Sequence, residues 1–397
     1  MEGTRFIRTL RLKNFLSYGS DGKTIELQPL NVLIGPNASG KSNFIEAIGI
    51  LQATSTNLPA PIRQGGGINN FLWKGTKEIP TAEIEATIDY QKESMPLRYR
   101  IALTAVEQRS EVVDEAIEDE EKKYQNEEDV YFYYRYQRGR PVLNVKTAIE
   151  GEPSKRFLRR EDLLIDQSVL SQRKDPDLYP ELSYLGDQFS KIGLYRGWQI
   201  GRYSPPRMPQ QTDLPEHPLL EDASNLGLVL NNLQYQLGNR QIIEKLKKFY
   251  DAAEELSIKF SGGTVQIFIR ETGLNQPIPA TRLSDGTLHY LFLMALLLDP
   301  TPPPLICIDE PEIGLHPDIL PTIAEMLIEA SQRTQLIVTT HSDILVSALS
   351  PESVMVCDRD DRGSHLRRLD PERLKKWLEK YTLGDLWRMG EIGGNRW

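Results

Sequence analysis

The stretch Asn31–Leu51, NVLIGPNASGKSNFIEAIGIL, constrains this chain more than any other. Val32, Leu33 and Ile34 read as a buried strand. Gly35–Ser42 then fits G-x-x-x-x-G-K-S, and apolar residues at helical spacing run from Ser42 to about Gln52. Strand, glycine-rich turn and helix, in that order, leave backbone N–H groups unpaired at a helix N-terminus, where glycines let the main chain approach an anion. On this reading Gly35, Pro36, Asn37, Ala38, Ser39, Gly40, Lys41, Ser42 and Asn43 cradle phosphates. Lys41 reaches the β and γ oxygens, and Ser42 holds Mg2+.

Three downstream segments add chemistry. LICIDEPE (305–312) is an apolar strand ending in Asp309 and Glu310, as a phosphate loop needs: one carboxylate for the Mg2+ shell and one to polarise an attacking water. LSDGT (283–287) places Ser284 and Gly286 at the start of an apolar helix, a second anion-ready N-terminus that also reads as an ordinary helix cap. TTHS (339–342) ends another buried strand on His341, where it can face a γ-phosphate. The catalytic candidates are therefore Lys41, Glu310 and His341.

Phosphate loop, long insertion, LSDGT, acidic strand, GLHP and histidine strand together resemble an ABC-type ATPase head of the RecF and SMC-like group. That group includes compact AAA-type ATPases and the ATPase half of overcoming-lysogenization-defect (OLD) proteins. The ending LEKYTLGDLWRMGEIGGNRW is similar to those compact ATPases too. The resemblance covers residues 5–54 and about 258–397 well, and the middle loosely. It implies an α/β P-loop NTPase, an ABC-type head with an antiparallel β portion (5–34 and 82–145) and an inserted helical lobe (about 155–258). The corresponding division is 1–105, 106–257 and 258–397.

The resemblance also implies ATP and Mg2+ as cofactors and a homodimer whose heads sandwich ATP. Ser284 and Gly286 would act on the partner's nucleotide, and His341 would be the switch histidine. Lys13 and Asn14 of LKNF would flank the nucleotide. For the glutamine of the Mg2+ shell, DQSVLSQRKD offers Gln167 or Gln172; Gln167 stands as the metal-ligand candidate with Gln172 open beside it. The signature reads S-D-G-T where transporters favour S-G-G-Q, and GLHP replaces S-A-L-D. The implied output is DNA-linked, in repair or anti-phage defence. Too little chain follows His341 for the Toprim nuclease domain of OLD proteins, so a nuclease or effector partner in trans is expected.

Composition narrows the alternatives. A formal net charge of -9 excludes a general polyanion binder, so DNA contact needs a local basic patch such as RYQRGR (135–140) or KRFLRR (155–160), both of which also read as ordinary surface charge. Cys307 and Cys357 sit in apolar runs and read as buried core residues of a reducing compartment. With no apolar signal core and no run near the roughly 18 residues of a spanning helix, the expectation is cytoplasmic, without membrane contact. The acidic run 107–129 reads as a solvated helix or flexible loop, and 240–256 as one long helix. Two other functions compete: the ATPase subunit of a membrane transporter, against which the long gap from Ser42 to Leu283 argues, and a slow nucleotide-dependent latch in an effector complex.

Overall fold

A computed structural model describes residues 3–90, 95–122, 129–137, 140–146, 153–157, 163–199 and 201–394. The apolar runs that read as buried strands lie side by side in a six-stranded sheet. Its order is Gly193–Tyr195, Leu305–Asp309, Gln335–Thr339, Leu30–Ile34, Val354–Asp360, Gly363–Arg368. The first five strands are parallel and the last is antiparallel. Leu30–Ile34 and Gln335–Thr339 are buried at every residue, as strands covered on both faces must be.

Alternate side chains enter two different cores. Leu30, Val32, Ile34, Ile306, Ile308 and Val338 pack with the helices Leu226–Leu237, Asp285–Leu297 and Leu320–Ala330. Leu33, Leu305, Cys307, Ile337 and Met355 pack with the helices Lys41–Thr54 and Pro180–Ser190 and an antiparallel sheet. The helix after the phosphate loop and the helix after LSDGT therefore lie on opposite faces of the parallel sheet. The latter is buried at every residue from Thr287 to Leu297, which is why its sequence is apolar all round and not striped.

The antiparallel sheet has eight strands in the order Thr24–Glu26, Ile7–Lys13, Ala82–Ile88, Leu97–Val106, Arg109–Asp119, Phe132–Gln137, Arg140–Lys146, Pro153–Phe157. The fifth of these corrects the reading of the acidic run. Residues 109–119 are neither solvated helix nor loop; they pair in a hairpin with Leu97–Val106, and Glu115 and Asp119 are buried. The reason is a supply of distant donors. Glu115 accepts from Tyr99 Oη at 2.7 Å, from Val169 N at 2.9 Å and from Ser168 Oγ. Tyr133 Oη donates to Asp119 at 2.8 Å, while Arg98 and Arg135 both pair with Glu118. Residues 123–128 lie outside the described residues, as do parts of both basic segments; Arg135 is engaged with Glu118 and Asp129.

The middle of the chain is also less helical than expected. Gly193–Tyr195 completes the parallel sheet, and the long helix stops at Lys247. The strand Ala253–Ser261 follows, pairing with Thr264–Glu271 in a third, small sheet with Gln210–Gln211 and Ile278–Pro279. Pairing to TVQIFIRE overrides the local helix preference of AAEEL. The divisions at 105/106 and 257/258 fall within the end of one strand and inside another.

Burial raises the Glu115 pKa to about 6, against which its three hydrogen bonds work. A carboxyl group raised in the folded state binds its proton more tightly there, so it favours folding below the unfolded pKa and costs stability as pH rises through about 6. The unfolding free energy of wild type relative to Glu115→Gln is expected to fall by about 2 kcal/mol between pH 4 and pH 7. Denaturant melts of both proteins at the two pH values measure it; a flat difference would show that Glu115 titrates normally.

Candidate functional site: a phosphate loop facing an acidic strand

Parallel strands end at a common edge, where ligands of such sheets bind. Here the edge gathers the 35–42 loop, Asp309 and Glu310, Thr340 and His341, and Cys357. Gly35 and Gly40 have φ of 149° and 113°. A Cβ at either would come to 2.3 Å from Cys357 O or Ser364 Oγ, so only glycine passes. The following helix starts at Lys41 with no side-chain cap, leaving its first N–H groups open for an anion.

Lys41 is only 6% exposed, and its Nζ donates to Gly35 O and Pro36 O, both at 2.9 Å. Burial lowers its pKa; Cys357 and the Glu310, Asp309 and Glu312 carboxylates oppose that shift. Buried Ser39 Oγ has no hydrogen-bond partner among the described residues, whereas Asn37, Ala38 and Ser42 are exposed. The loop is braced from behind. Tyr18 Oη donates to Gly40 O at 3.0 Å, and Cys357 Sγ and Ser364 Oγ both donate to Ser39 O. Asn43 Nδ2 donates to Ser17 Oγ at 2.8 Å. Cys357 is thus buried as expected, but it is also a strut of the site.

Glu310 has φ 50°, and its N–H donates to Thr339 O and Oγ1 at 3.1 and 3.2 Å. The Thr339 hydroxyl also donates to the Asp309 carboxylate. Burial raises the Glu310 pKa, Asp309 adds to it, and Lys41 opposes it. His341 Nε2 lies 3.4 Å from Glu310 Oε1. Glu312, which sequence reasoning passed over, holds that histidine: its Oε1 accepts from His341 N at 2.6 Å and Thr340 Oγ1 at 2.8 Å. The second glutamate of DEPE was the visible signal for it.

Ser284 is exposed and caps Asp285–Leu297, accepting from Thr287 N at 3.0 Å. A Cβ on Gly286 would sit 2.9 Å from Gly314 O, so the signature turn packs on the GLHP turn. Arg207, also missed, is buried; it donates to Leu283 O and pairs with Asp285, pinning the signature.

Four expected residues stand elsewhere. Lys13 Nζ is bound to Glu83 at 2.8 Å on the antiparallel sheet. Asn14, at φ 53°, makes the turn that brings Ser17 and Tyr18 to the loop: its N–H donates to Gly19 O and its Nδ2 to Thr81 O. Gln167 accepts from Leu58 N at 3.2 Å, beyond the far end of the 14-residue loop helix, about 20 Å from its N-terminus. Gln172 folds back on the carbonyls of Leu164, Gln167 and Ser168. Neither reaches Ser42. Exposed Gln199, four residues after Gly193–Tyr195, lines a cleft with Trp198, Asp285 and His289 beside the signature helix.

Uncapped N–H groups, glycines with no room for a Cβ, the unpartnered Ser39 hydroxyl and Lys41 among carboxylates all fit a nucleotide polyphosphate. Ser42 and Asp309 offer hard oxygens suited to Mg2+. Among the described residues no group of three or more His, Cys, Asp or Glu could hold a metal ion, and no helix is long and apolar enough to cross a membrane.

Comparison with known proteins agrees with this geometry. Chromosome partition protein Smc of Mycolicibacterium paratuberculosis is 30% identical over 98 residues, and that of Mycobacterium tuberculosis 28% over 98. The match takes in 24% of this chain and only 8% of either relative's length. An Smc head bound to the C-winged helix domain of ScpA superposes with a TM-score of 0.57 at 16% identity, covering 94% of this chain and 100% of that one. The Smc head with an extended coiled coil bound to the C-terminal domain of ScpA, from Pyrococcus furiosus, gives 0.56 at 15%, covering 94% and 99%. These likenesses show an SMC-head fold. The family model described as "AAA domain, putative AbiEii toxin, Type IV TA system" matches residues 30–347, and the chain belongs to that family of P-loop ATPases.

Proposed function

We propose that the protein binds and hydrolyses ATP between two copies of its head, and that closing and opening of this sandwich gates a DNA-linked process with a nuclease or effector partner. Repair or defence against phage is the setting in which such a device serves, in the cytoplasm. The observation that carries the reading is Lys41, buried in an uncapped phosphate loop and facing Asp309 and Glu310 across the strand edge. A second supports the dimer: the exposed Ser284 N-terminus and the phosphate loop head helices on opposite faces of one sheet, so each is better placed to serve another chain's nucleotide than to share one.

In this mechanism the loop N–H groups and Lys41 hold the β- and γ-phosphates. Glu310 takes a proton from a water as its oxygen bonds to the γ-phosphorus and the bond to the bridging oxygen breaks, leaving ADP and phosphate. His341, fixed by Glu312, orients Glu310 and the γ-phosphate. Ser284 of the partner closes the site. Mg2+, held by Ser42 and Asp309, would neutralise charge on the phosphate oxygens.

Lys41→Ala is expected to weaken ATP binding at least about a hundredfold, because the phosphate charge loses its buried counter-ion. Equilibrium binding of a fluorescent ATP analogue measures this; unchanged affinity would sink the phosphate-loop assignment.

A further inference from the structure

We propose that Trp198 and His289 are positioning residues that lock the backbone of Glu310 to the signature helix; the proposal rests on the ATPase reading above. Glu310 sits in the left-handed region at φ 50°, which a non-glycine residue keeps only where its surroundings over-determine it. On its N-terminal side Thr339 takes the Glu310 N–H through two acceptors. On its C-terminal side a single donor does more. The Trp198 indole N–H is shared by Asp309 O at 2.7 Å and Glu310 O at 3.0 Å. Those carbonyls belong to the two peptide planes flanking the Glu310 Cα, so one donor restrains both φ and ψ of the residue that carries the carboxylate.

The indole is itself held by the signature helix. Its ring lies 4.2 Å from the His289 ring and 5.2 Å from that of Phe292, three residues apart on one helical face. His289 Nδ1–H donates to Ile313 O at 2.6 Å, and Ile313 N–H returns to Glu310 O at 3.2 Å. The segment 309–313 is therefore gripped at both ends by groups that ride on Asp285–Leu297, the helix Ser284 caps. Burial pushes the His289 pKa down to about 4, so the imidazole is neutral at physiological pH and keeps this one donor role. A shift of the signature helix against the sheet would turn the Glu310 peptide planes, and so aim or misaim its carboxylate.

The test uses full-length protein and ATP, reading kcat, KM and nucleotide affinity. Trp198→Phe keeps the ring and loses the donor; His289→Phe keeps the stack and loses its N–H. Each is expected to lower kcat about tenfold with KM and ATP affinity unchanged within about twofold. His289→Asn restores an N–H near the Nδ1 position and is expected to recover most of the loss. Two results would overturn the proposal: wild-type kcat in both phenylalanine variants, or a parallel loss of ATP affinity and thermal stability that His289→Asn does not relieve. Glu310→Gln, run alongside, separates the two levels. If wild type itself hydrolyses no ATP, the ATPase reading fails; if Glu310→Gln is as fast as wild type, Glu310 takes no part in the reaction and the positioning role falls with it; if Glu310→Gln is inactive while both phenylalanine variants are fully active, the positioning role alone fails.

Discussion

Glu310→Gln is expected to bind ATP with wild-type affinity and hydrolyse it roughly 10²–10⁴-fold more slowly, the range that a positioned general base contributes. The amide keeps the size of the side chain and one acceptor oxygen 3.4 Å from His341, but it cannot take a proton. The Lys41 cradle is untouched, so binding and chemistry separate cleanly. Single-turnover hydrolysis of radiolabelled ATP checks the rate, and equilibrium binding checks the affinity. A wild-type rate would remove Glu310 from the reaction. In the wild type, burial and Asp309 disfavour the Glu310 carboxylate, so the acid limb of the rate profile is expected above the ordinary glutamate range. The same variant holds the ATP state long enough to be useful: with ATP bound it should retain a nuclease or effector partner through affinity purification that it loses with ADP.

What the sequence made legible follows from how each element is stabilised. The buried parallel strands carry their instruction locally, in runs such as NVLI and LICI, and the loop between strand and helix has few solutions. Glu310 and His341 could be paired with Lys41 from sequence because each lies just past the end of such a run, and Lys41 closes the loop that follows NVLI. The strand Arg109–Asp119 could not be read, because what makes it a strand is not in it: Glu115 and Glu118 are satisfied by Tyr99, Arg98, Arg135 and the 168–169 turn. Trp198 and Arg207 were hidden for a related reason. Gly193–Tyr195 is three residues long, too short for any periodicity, yet its place beside the acidic strand delivers all that follows it to the site. Gln167 failed in the opposite direction: order along the chain suggested it, and the length of the loop helix put it out of reach.

Ser284→Arg is the variant that asks whether the site needs a second chain, and it is expected to abolish steady-state hydrolysis while leaving ATP binding intact. Ser284 is exposed at the start of a helix whose dipole favours an anion, and nothing in its own chain's phosphate loop bonds to it. A bulky cation there would obstruct the partner's γ-phosphate without touching Lys41. Losing the cap to Thr287 N costs helix stability of about 1 kcal/mol, so Ser284→Asp is the control. It keeps a capping oxygen but brings a negative charge toward the partner's phosphates, and should be as inactive as the arginine variant. Mixing sharpens the result. Lys41→Ala lacks a working loop but has an intact signature; Ser284→Arg has the reverse defect. In a dimer of the two, one composite site is whole, so two inactive preparations should together recover up to about a quarter of wild-type activity by random pairing of protomers. If Ser284→Arg alone hydrolyses ATP at the normal rate, the active site is complete within one chain, and the loop at 35–42 works without the helix on the far face of its sheet.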